Sequence, residues 1–175
     1  MTDKEYIDIA IEISKNSKFP YGAIVVKDNE IIGRSDDNTL ISKTIYTHAE
    51  LMAIESACKN KKNLYGELKG ATLYTSCEPC IMCIGAILYE KIDRLVYAAT
   101  LKDSNDYYFP EIITDIDELK KLANSSMEII PELNRYSAIQ VLKEHKDRIN
   151  NRILITGSVL VSNNDSTDVY NKIVS

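Results

Sequence analysis

The sequence predicts a three-layer α/β domain in which a mixed five-stranded sheet carries helices on both faces. Stretches with a helical spacing of apolar residues alternate with short apolar runs, in the order α-β-β-α-β-α-β-α-β-α. Such alternation is typical of a sheet covered by helices on both sides. With 175 residues, of which 45% are hydrophobic, the chain is long enough for one domain with a substantial core.

The ends of the predicted elements carry recognisable signals. Thr2 and Glu5 form a capping box for the first helix, and Thr47 is the predicted N-cap of the second. The predicted helices cover residues 2–17, 47–60, 79–90, 116–123 and 135–149, and the predicted strands cover 23–27, 30–34, 71–76, 93–99 and 127–130. Residues 102–110 are predicted to form a polar and aromatic loop.

We expect residues 1–150 to form this domain and residues 151–175 to form an extension to it. The extension carries the apolar run 153–161, which could add an edge strand or contribute to an interface. Its end is rich in Asn, Asp and Ser, which is typical of a loosely held terminus.

Composition favours a cytoplasmic protein that does not cross a membrane. No apolar run approaches the roughly 20 residues of a membrane-spanning helix, and the N-terminus lacks the basic and apolar segments of a signal peptide. Four cysteines without an export signal indicate a reducing compartment, where metal-binding or reactive thiols are more common than disulfides. The net charge of −5 argues against a dedicated nucleic-acid-binding protein, which usually has a basic patch.

Two cysteines at the start of the third helix form half of a predicted metal site. Cys80 and Cys83 are three residues apart, and Pro79 precedes them. Proline is preorganised for a first helical position, and residues three apart lie on one face of a helix. The helix N-terminus favours negatively charged thiolates, so the two sulfurs are expected to project together from its first turn.

The second half of the site lies at the start of the preceding helix. His48 is one of only two histidines, and Glu50 follows it by two residues. Zinc binds nitrogen and sulfur ligands tetrahedrally, and three protein ligands leave a fourth position for water. We therefore predict a Zn²⁺ ion bound by His48, Cys80 and Cys83, with the Glu50 carboxylate two residues from the first of these ligands.

Other readings of these residues are possible. A closed structural zinc site would use Cys77 as a further sulfur ligand, but it would leave Glu50 without a role. Ordinary packing accounts for Cys77 and Cys58, which behave as small apolar side chains when buried. His145 lies among basic residues on the last predicted helix, so it is predicted to be a solvated surface residue.

The paired motifs resemble the signature of the zinc-dependent cytidine deaminase superfamily. The signature runs His-x-Glu and then Pro-Cys-x-x-Cys, which corresponds here to residues 48–50 and 79–83. The turn Pro-Tyr-Gly-Ala at 20–23 is similar to the turn before the first strand of that family. Residues 75–80, Thr-Ser-Cys-Glu-Pro-Cys, resemble the guanine deaminase and tRNA adenosine deaminase branch. The resemblance covers roughly Tyr6 to Arg148.

The resemblance implies a fold, a reaction and an assembly. It implies a hydrolytic deamination that releases ammonia, with Glu50 carrying protons between water, the ring nitrogen and the departing amine. It also implies that backbone groups of Ala49, Glu78 and Cys80 hold the reacting groups. Enzymes of this kind are dimeric, so a homodimer is expected.

Two neighbouring residues compete for a contact with the substrate base. The branch commonly has asparagine eleven residues before the zinc histidine, a position that Asp37 occupies here, with Asn38 next to it. An amide offers a donor and an acceptor, whereas an ionised carboxylate only accepts hydrogen bonds. Asp37 could face the pocket, Asn38 could replace it, or Asp37 could cap a turn on the surface.

Two segments differ from the tRNA deaminases. Residues 45–47 read Ile-Tyr-Thr where those enzymes carry Asp-Pro-Thr, and residues 100–111 are polar and acidic where those enzymes are rich in glycine. Guanine deaminases place an acidic residue after this strand, and Asp106 or Glu111 could fill that role. Tyr21 and the aromatic residues 107–109 could stack on a ring.

The expected function is therefore zinc-dependent deamination of a free nucleobase or nucleoside, with guanine or a related aminopurine as the leading substrate. The alternative is a tRNA-specific deaminase of a wobble adenosine. A non-catalytic zinc module is a third hypothesis, although Glu50 and an open ligand position argue against it. We expect a small-molecule partner and no nucleic acid or membrane.

Overall fold

Helices and strands alternate along the chain in a computed structural model that describes residues 1–35, 47–61, 68–108 and 112–155. The elements are α1 (Asp3–Asn16), β1 (Ala23–Lys27), β2 (Glu30–Arg34), α2 (Ala49–Lys61), β3 (Thr72–Cys77), α3 (Ile81–Tyr89), β4 (Arg94–Ala99), α4 (Leu101–Asn105), α5 (Ile116–Leu122), β5 (Glu128–Ile130) and α6 (Arg135–Ile155).

The strands form one mixed sheet in the order β2-β1-β3-β4-β5. Strand β1 pairs antiparallel with both β2 and β3, whereas β3, β4 and β5 are parallel. The register pairs Thr72 with Arg94 at one end of the central strands and Cys77 with Ala99 at the other. The predicted mixed five-stranded sheet is confirmed, and the carboxyl ends of β3 and β4 meet at one edge.

Each face of the sheet has its own apolar core, which confirms the predicted three layers. On one face, Leu73 and Leu95 are fully buried in a cluster with residues of α2, α3 and α5. On the other face, Val96 is fully buried in a cluster with Ile7 of α1 and Leu142 of α6. Burial of each such side chain contributes about 1.5–3 kcal/mol to folding, so the helices are held firmly on both sides.

Two glycines bring helices close to the hairpin. A Cβ atom at Gly22 would lie 2.3 Å from the carbonyl oxygen of Ala10 in α1. A Cβ atom at Gly33 would lie 2.2 Å from the carbonyl oxygen of Ala53 in α2. Both distances are far below van der Waals contact, so these positions require glycine. The glycine of the Pro-Tyr-Gly-Ala turn therefore sets the approach of α1 to the sheet.

The helix starts partly follow the predictions. The capping box of α1 is confirmed, because Thr2 Oγ1 accepts from the Glu5 N–H and the Glu5 carboxylate accepts from the Thr2 N–H. Helix α2 begins at Ala49, one residue later than the predicted N-cap Thr47 implies. The N-cap of α3 is Cys80, so the prediction of Pro79 at a first helical position is wrong.

The predicted loop at 102–110 is wrong over its first part, which forms the short helix α4. Thr100 and Asp103 form a capping box, in which Thr100 Oγ1 accepts from the Asp103 N–H and the Asp103 carboxylate accepts from the Thr100 N–H. Two backbone donors at the start of the segment are thereby satisfied, and this favours the helical turn. The sequence Thr-x-x-Asp at residues 100–103 could have indicated the start of this helix.

The last helix is longer than predicted. Helix α6 continues through Ile155, so the first residues of the apolar run 153–161 are helical and do not begin a strand. The rest of that run lies outside the described residues, and an interface role for the extension stays a prediction. None of the helices in the described ranges combines the length and the apolar character that crossing a membrane requires.

Candidate metal centre and active site

The carboxyl edge of the parallel strands brings the three predicted metal ligands together. His48 directly precedes α2, Cys80 caps α3, and Cys83 lies in the first turn of α3. The Nδ1 atom of His48 lies 3.6 Å from the Sγ atoms of both Cys80 and Cys83. The two Sγ atoms are 3.7 Å apart. Two helix starts thus face each other across one small space.

The spacing of these donor atoms fits a zinc ion. Tetrahedral zinc with bonds of about 2.3 Å to sulfur and about 2.0–2.1 Å to nitrogen places its ligand atoms roughly 3.6–3.8 Å apart. The three measured distances agree with that requirement. Among the described residues, His48, Cys80 and Cys83 form a group that could hold a metal ion, and Glu50 is not part of it. The donor set and its geometry therefore both fit zinc.

The two sulfurs lie within hydrogen-bond distance of each other. This contact lowers the pKa of Cys80 to about 3, against the opposing effect of burial. The same contact, together with burial, raises the pKa of Cys83. A divalent cation at the site would favour the thiolate form of both cysteines.

Glu50 lies beside the metal ligands in the first turn of α2. The residue is only 6% exposed. Its Oε1 atom accepts a hydrogen bond from Thr75 Oγ1 at 3.2 Å, and its Oε2 atom lies 3.5 Å from Cys83 Sγ. Burial raises the pKa of Glu50, while the neighbouring His48 acts in the opposite direction. A raised pKa makes a carboxyl group better able to hold and donate a proton.

The residues whose backbone groups the resemblance assigns to the substrate, Ala49, Glu78 and Cys80, include one metal ligand and two residues next to or near a ligand along the chain. Ala49 is buried at the start of α2, and Cys80 caps α3. The N–H of Glu78 donates to the Ala99 carbonyl at 2.7 Å, so a Glu78 backbone contact with substrate has to use the carbonyl oxygen. The Glu78 carboxylate accepts from the Leu101 N–H and so ties the turn before α3 to α4.

The predicted substrate contacts are only partly within the described residues. Tyr21 is half-buried, its hydroxyl lies 2.7 Å from Ser104 Oγ, and its ring meets the Tyr108 ring edge-on at 6.1 Å. Asp106 is exposed at the C-cap of α4, and the structure gives its side chain no contact with the metal ligands. The predicted contacts Asp37, Asn38 and Glu111 lie outside the described residues.

Sequence reasoning missed an acidic residue in α4. Asp103 is buried and accepts hydrogen bonds from Arg135 Nε at 2.8 Å and Nη2 at 2.7 Å. Burial acts to raise the pKa of Asp103, but the bonds from Arg135 and Thr100 outweigh it and the pKa is lowered. This pair holds α4 against the start of α6, close to where β4 ends.

The prediction that His145 is a solvated surface residue is wrong. His145 is buried, its Nδ1 lies 2.6 Å from the Tyr108 hydroxyl, and its Nε2 contacts the Lys18 carbonyl oxygen. The physical reason is helical spacing. Buried residues of α6 recur three or four positions apart, and they are Ala138, Val141, Leu142 and His145. The basic neighbours of His145 occupy other faces of the same helix.

The remaining cysteines agree with the prediction of packed thiols. Cys77 is buried, and its thiol donates to the Thr100 carbonyl oxygen at 3.7 Å. Cys58 is half-buried, and its thiol lies 3.8 Å from Glu90 Oε2. Neither belongs to the group of metal ligands.

The fold and the site together define a zinc-dependent deaminase domain, and comparison with known proteins agrees. Residues 1–99 match the family model of the cytidine and deoxycytidylate deaminase zinc-binding region. The chain therefore belongs to this family. The predictions of a zinc site and of a deaminase are confirmed at the level of the family.

Curated relatives carry two different names. A tRNA-specific adenosine deaminase of Buchnera aphidicola is 37% identical over 110 residues, which cover 61% of this chain and 67% of that protein. A guanine deaminase of Bacillus subtilis is 41% identical over 101 residues, which cover 57% of this chain and 64% of that protein. The chain thus aligns with about two thirds of each relative, and their names leave the substrate open.

Solved structures share the fold. A guanine deaminase of Nitrosomonas europaea superimposes with a TM-score of 0.74 at 21% identity, covering 83% of this chain and 85% of that one. A tRNA:A34 deaminase superimposes with a TM-score of 0.66 at 25% identity, covering 78% of this chain and 98% of that one. The predicted cytidine deaminase-like fold is confirmed.

Proposed function

We propose that this protein is a hydrolytic deaminase of a free nucleobase or nucleoside, with guanine or a related aminopurine as substrate. The observation that carries the proposal is the buried carboxylate of Glu50. It lies 3.5 Å from Cys83 Sγ, beside a His-Cys-Cys group with the donor spacing of zinc, without being a ligand itself. A ligand set that leaves a position open, next to a proton carrier, is suited to hydrolysis.

The reaction replaces a C–N bond of the substrate by a C–O bond. Zinc, when bound, supplies a water molecule acidic enough to act as hydroxide near neutral pH. The Glu50 carboxylate would accept a proton from the attacking water and deliver it to the ring nitrogen beside the attacked carbon, to which the oxygen adds. Glu50 would then accept the second proton of that oxygen and pass it to the departing amine, so that the C–N bond breaks, ammonia leaves and the carbon keeps the oxygen as a carbonyl group. Backbone groups of Ala49, Glu78 and Cys80 hold the reacting atoms in place.

A small heterocycle is favoured over an RNA loop by charge and by the segment after β4. The net charge of −5 is unsuited to strong phosphate binding. The segment after β4 is acidic, and Asp103 and Arg135 fix its first turn. We assign contacts with the base to Asp37 or Asn38, to Asp106 or Glu111, and to the ring of Tyr21. The 41% identity to the Bacillus subtilis guanine deaminase supports the same substrate class.

The second candidate is deamination of adenosine in tRNA. It is supported by the 37% identity to a tRNA-specific adenosine deaminase. The chemistry at Glu50 and the metal site would be the same, and only the recognition of the substrate would differ. Salt separates the two candidates, since phosphate contacts weaken steeply as salt concentration rises.

The test is a substrate panel with the purified zinc-loaded protein. Ammonia release is measured with guanine, other aminopurines, cytosine, pterins, nucleosides and adenosine-containing tRNA. We expect guanine or a related aminopurine to be turned over with little dependence on salt. If ammonia were released from tRNA and from none of the small molecules, the second candidate would replace the proposal.

We also propose that the protein acts as a homodimer in the reducing cytoplasm. Helix α3 contains no charged residue, yet Ile81 and Tyr89 are 42% and 84% exposed on it. Helices that are apolar all round are usually covered, and a second copy of the chain would cover this one. The four cysteines are all free thiols, which is typical of a reducing compartment. Light scattering of the protein and of Tyr89→Lys tests the assembly, with a monomeric wild type as the contrary result.

A further inference from the structure

Thr75 supports Glu50 from the centre of the sheet. The residue is 1% exposed on β3, and the sheet register places it opposite Ala23 of β1 on one side and Tyr97 of β4 on the other. Pairing on both sides fixes its backbone. The Thr75 hydroxyl lies 3.2 Å from Glu50 Oε1. A rigid strand therefore presents a hydroxyl group to the carboxylate that carries protons.

The two oxygens of Glu50 have different surroundings. Oε1 accepts from Thr75, whereas Oε2 faces the metal ligands at 3.5 Å from Cys83 Sγ. Cys83 as a metal-bound thiolate has no proton to donate. The Thr75 hydroxyl is then the side-chain donor that the structure gives to Glu50. A hydroxyl donor on one oxygen favours one orientation of the carboxyl group, because the other oxygen is then turned to the opposite side.

We propose that Thr75 is a positioning residue for Glu50, whose hydroxyl holds Oε1 and thereby keeps Oε2 turned toward the metal site. This inference rests on the proposed function, because it assigns Thr75 a part in the proton transfers of that reaction. A purely structural role is the competing explanation, since threonine is favoured in strands. Valine has nearly the same shape without the hydroxyl, so it separates the two explanations.

The first test compares Thr75→Val with Thr75→Ser in the zinc-loaded protein. With the best substrate of the panel, we expect Thr75→Val to lower kcat by about 10–100-fold, with KM and zinc content nearly unchanged. Thr75→Ser retains the hydroxyl and is expected to restore most of kcat. The matched control is Thr72→Val, because Thr72 is buried on the same strand but points to the opposite face.

The second test does not depend on turnover. Infrared difference spectra of wild type and of Thr75→Val, each taken against its Glu50→Gln counterpart, isolate the carboxylate band of Glu50. Loss of the hydroxyl donor is expected to move this band, and Thr75→Ser is expected to return it to the wild-type position. An unmoved band in Thr75→Val overturns the inference, whether or not the protein is active.

The kinetic results are equally decisive. A normal kcat in Thr75→Val, or a Thr75→Ser variant as slow as Thr75→Val, overturns the positioning role. A wild-type protein that releases no ammonia from any panel compound contradicts the proposed function instead. In that case the infrared shift still confirms the hydrogen bond between Thr75 and Glu50, so the two failures can be told apart.

Discussion

The two ends of the parallel strands carry polar clusters that differ in how their carboxylates are paired. At the amino end, the guanidinium of Arg94 bonds to Asp3 at 3.0 Å and to Glu128 at 2.6 Å. At the carboxyl end, the carboxylate of Glu50 is buried beside the Cys83 sulfur and faces no lysine or arginine in the described contacts. The carboxylates of the first cluster are paired with a guanidinium group, whereas the described contacts of Glu50 include no such ion pair.

The pKa shifts follow this difference. The bonds from Arg94 and from the Tyr74 hydroxyl lower the pKa of Asp3, so its charged form is favoured. Burial raises the pKa of Glu50, so its charged form is disfavoured. The first cluster stabilises the fold by joining α1 to the sheet. The second contains a buried carboxyl group with a raised pKa, and perturbed acids of this kind are typical of functional sites.

The largest expected effect is loss of the metal on removal of a sulfur ligand. Cys83→Ala leaves only two ligands, so we expect zinc to fall from about one ion per chain to almost none, with activity lost as well. Cys58→Ala is the control, because Cys58 lies on α2 outside the ligand group and should keep its zinc. Metal analysis of both purified variants checks this, and stoichiometric zinc in Cys83→Ala would contradict the ligand assignment.

Removal of the proton carrier should separate metal binding from catalysis. We expect Glu50→Ala to keep its zinc and to lose about 10²–10⁴-fold in kcat, the usual contribution of a general acid–base group. Glu55→Ala, which removes an exposed carboxylate on the same helix, should leave both unchanged. Zinc content and ammonia release are measured together. Near-normal turnover in Glu50→Ala would rule out the proposed role.

A smaller effect is expected at the cluster of Arg94, Asp3 and Glu128. Asp3→Asn should lower the free energy of unfolding by about 1 kcal/mol at neutral pH, because Asp3 is partly exposed. The pKa of Asp3 is lowered below its ordinary 3.8, so its charge stabilises the fold above that pH and the contribution is lost as pH falls through the lowered pKa. Denaturant titrations should show the two proteins converging in acid. A constant difference down to the lowest pH would contradict the ion pair.

The smallest effect is expected for the outer partner of Arg94. Glu128 is 60% exposed, so Glu128→Gln should cost only about 0.2–1 kcal/mol and less than Asp3→Asn. The same denaturant titrations compare the two variants at neutral pH and low salt. If both variants lost the same free energy of unfolding, the contribution of each carboxylate would not depend on its solvent exposure, which would contradict this prediction.

The metal site was predictable because short motifs determine it. The ligands Cys80 and Cys83 lie at the start of one helix, and His48 and Glu50 lie at the start of another, so their proximity within each pair follows from local spacing. The order of elements was predictable for a similar reason, since each helix and strand has its own apolar pattern.

The supporting residues were not predictable, because their roles depend on which elements meet in space. Thr75 resembles any strand-forming threonine until β3 is placed beside α2. Asp103 meets Arg135 only because α6 returns to α4. His145 was misjudged from its charged neighbours along the chain, although the helical spacing of α6 carried the correct signal.

The most direct measurement of the central claim follows zinc and ammonia in one preparation. Purified protein is assayed with guanine as isolated, after removal of metal by a chelator, and after addition of zinc. We predict ammonia release that disappears with the metal and returns with about one zinc ion per chain. Full activity after chelation would contradict the claim. So would a zinc-loaded protein that releases no ammonia from guanine or from any other small heterocycle.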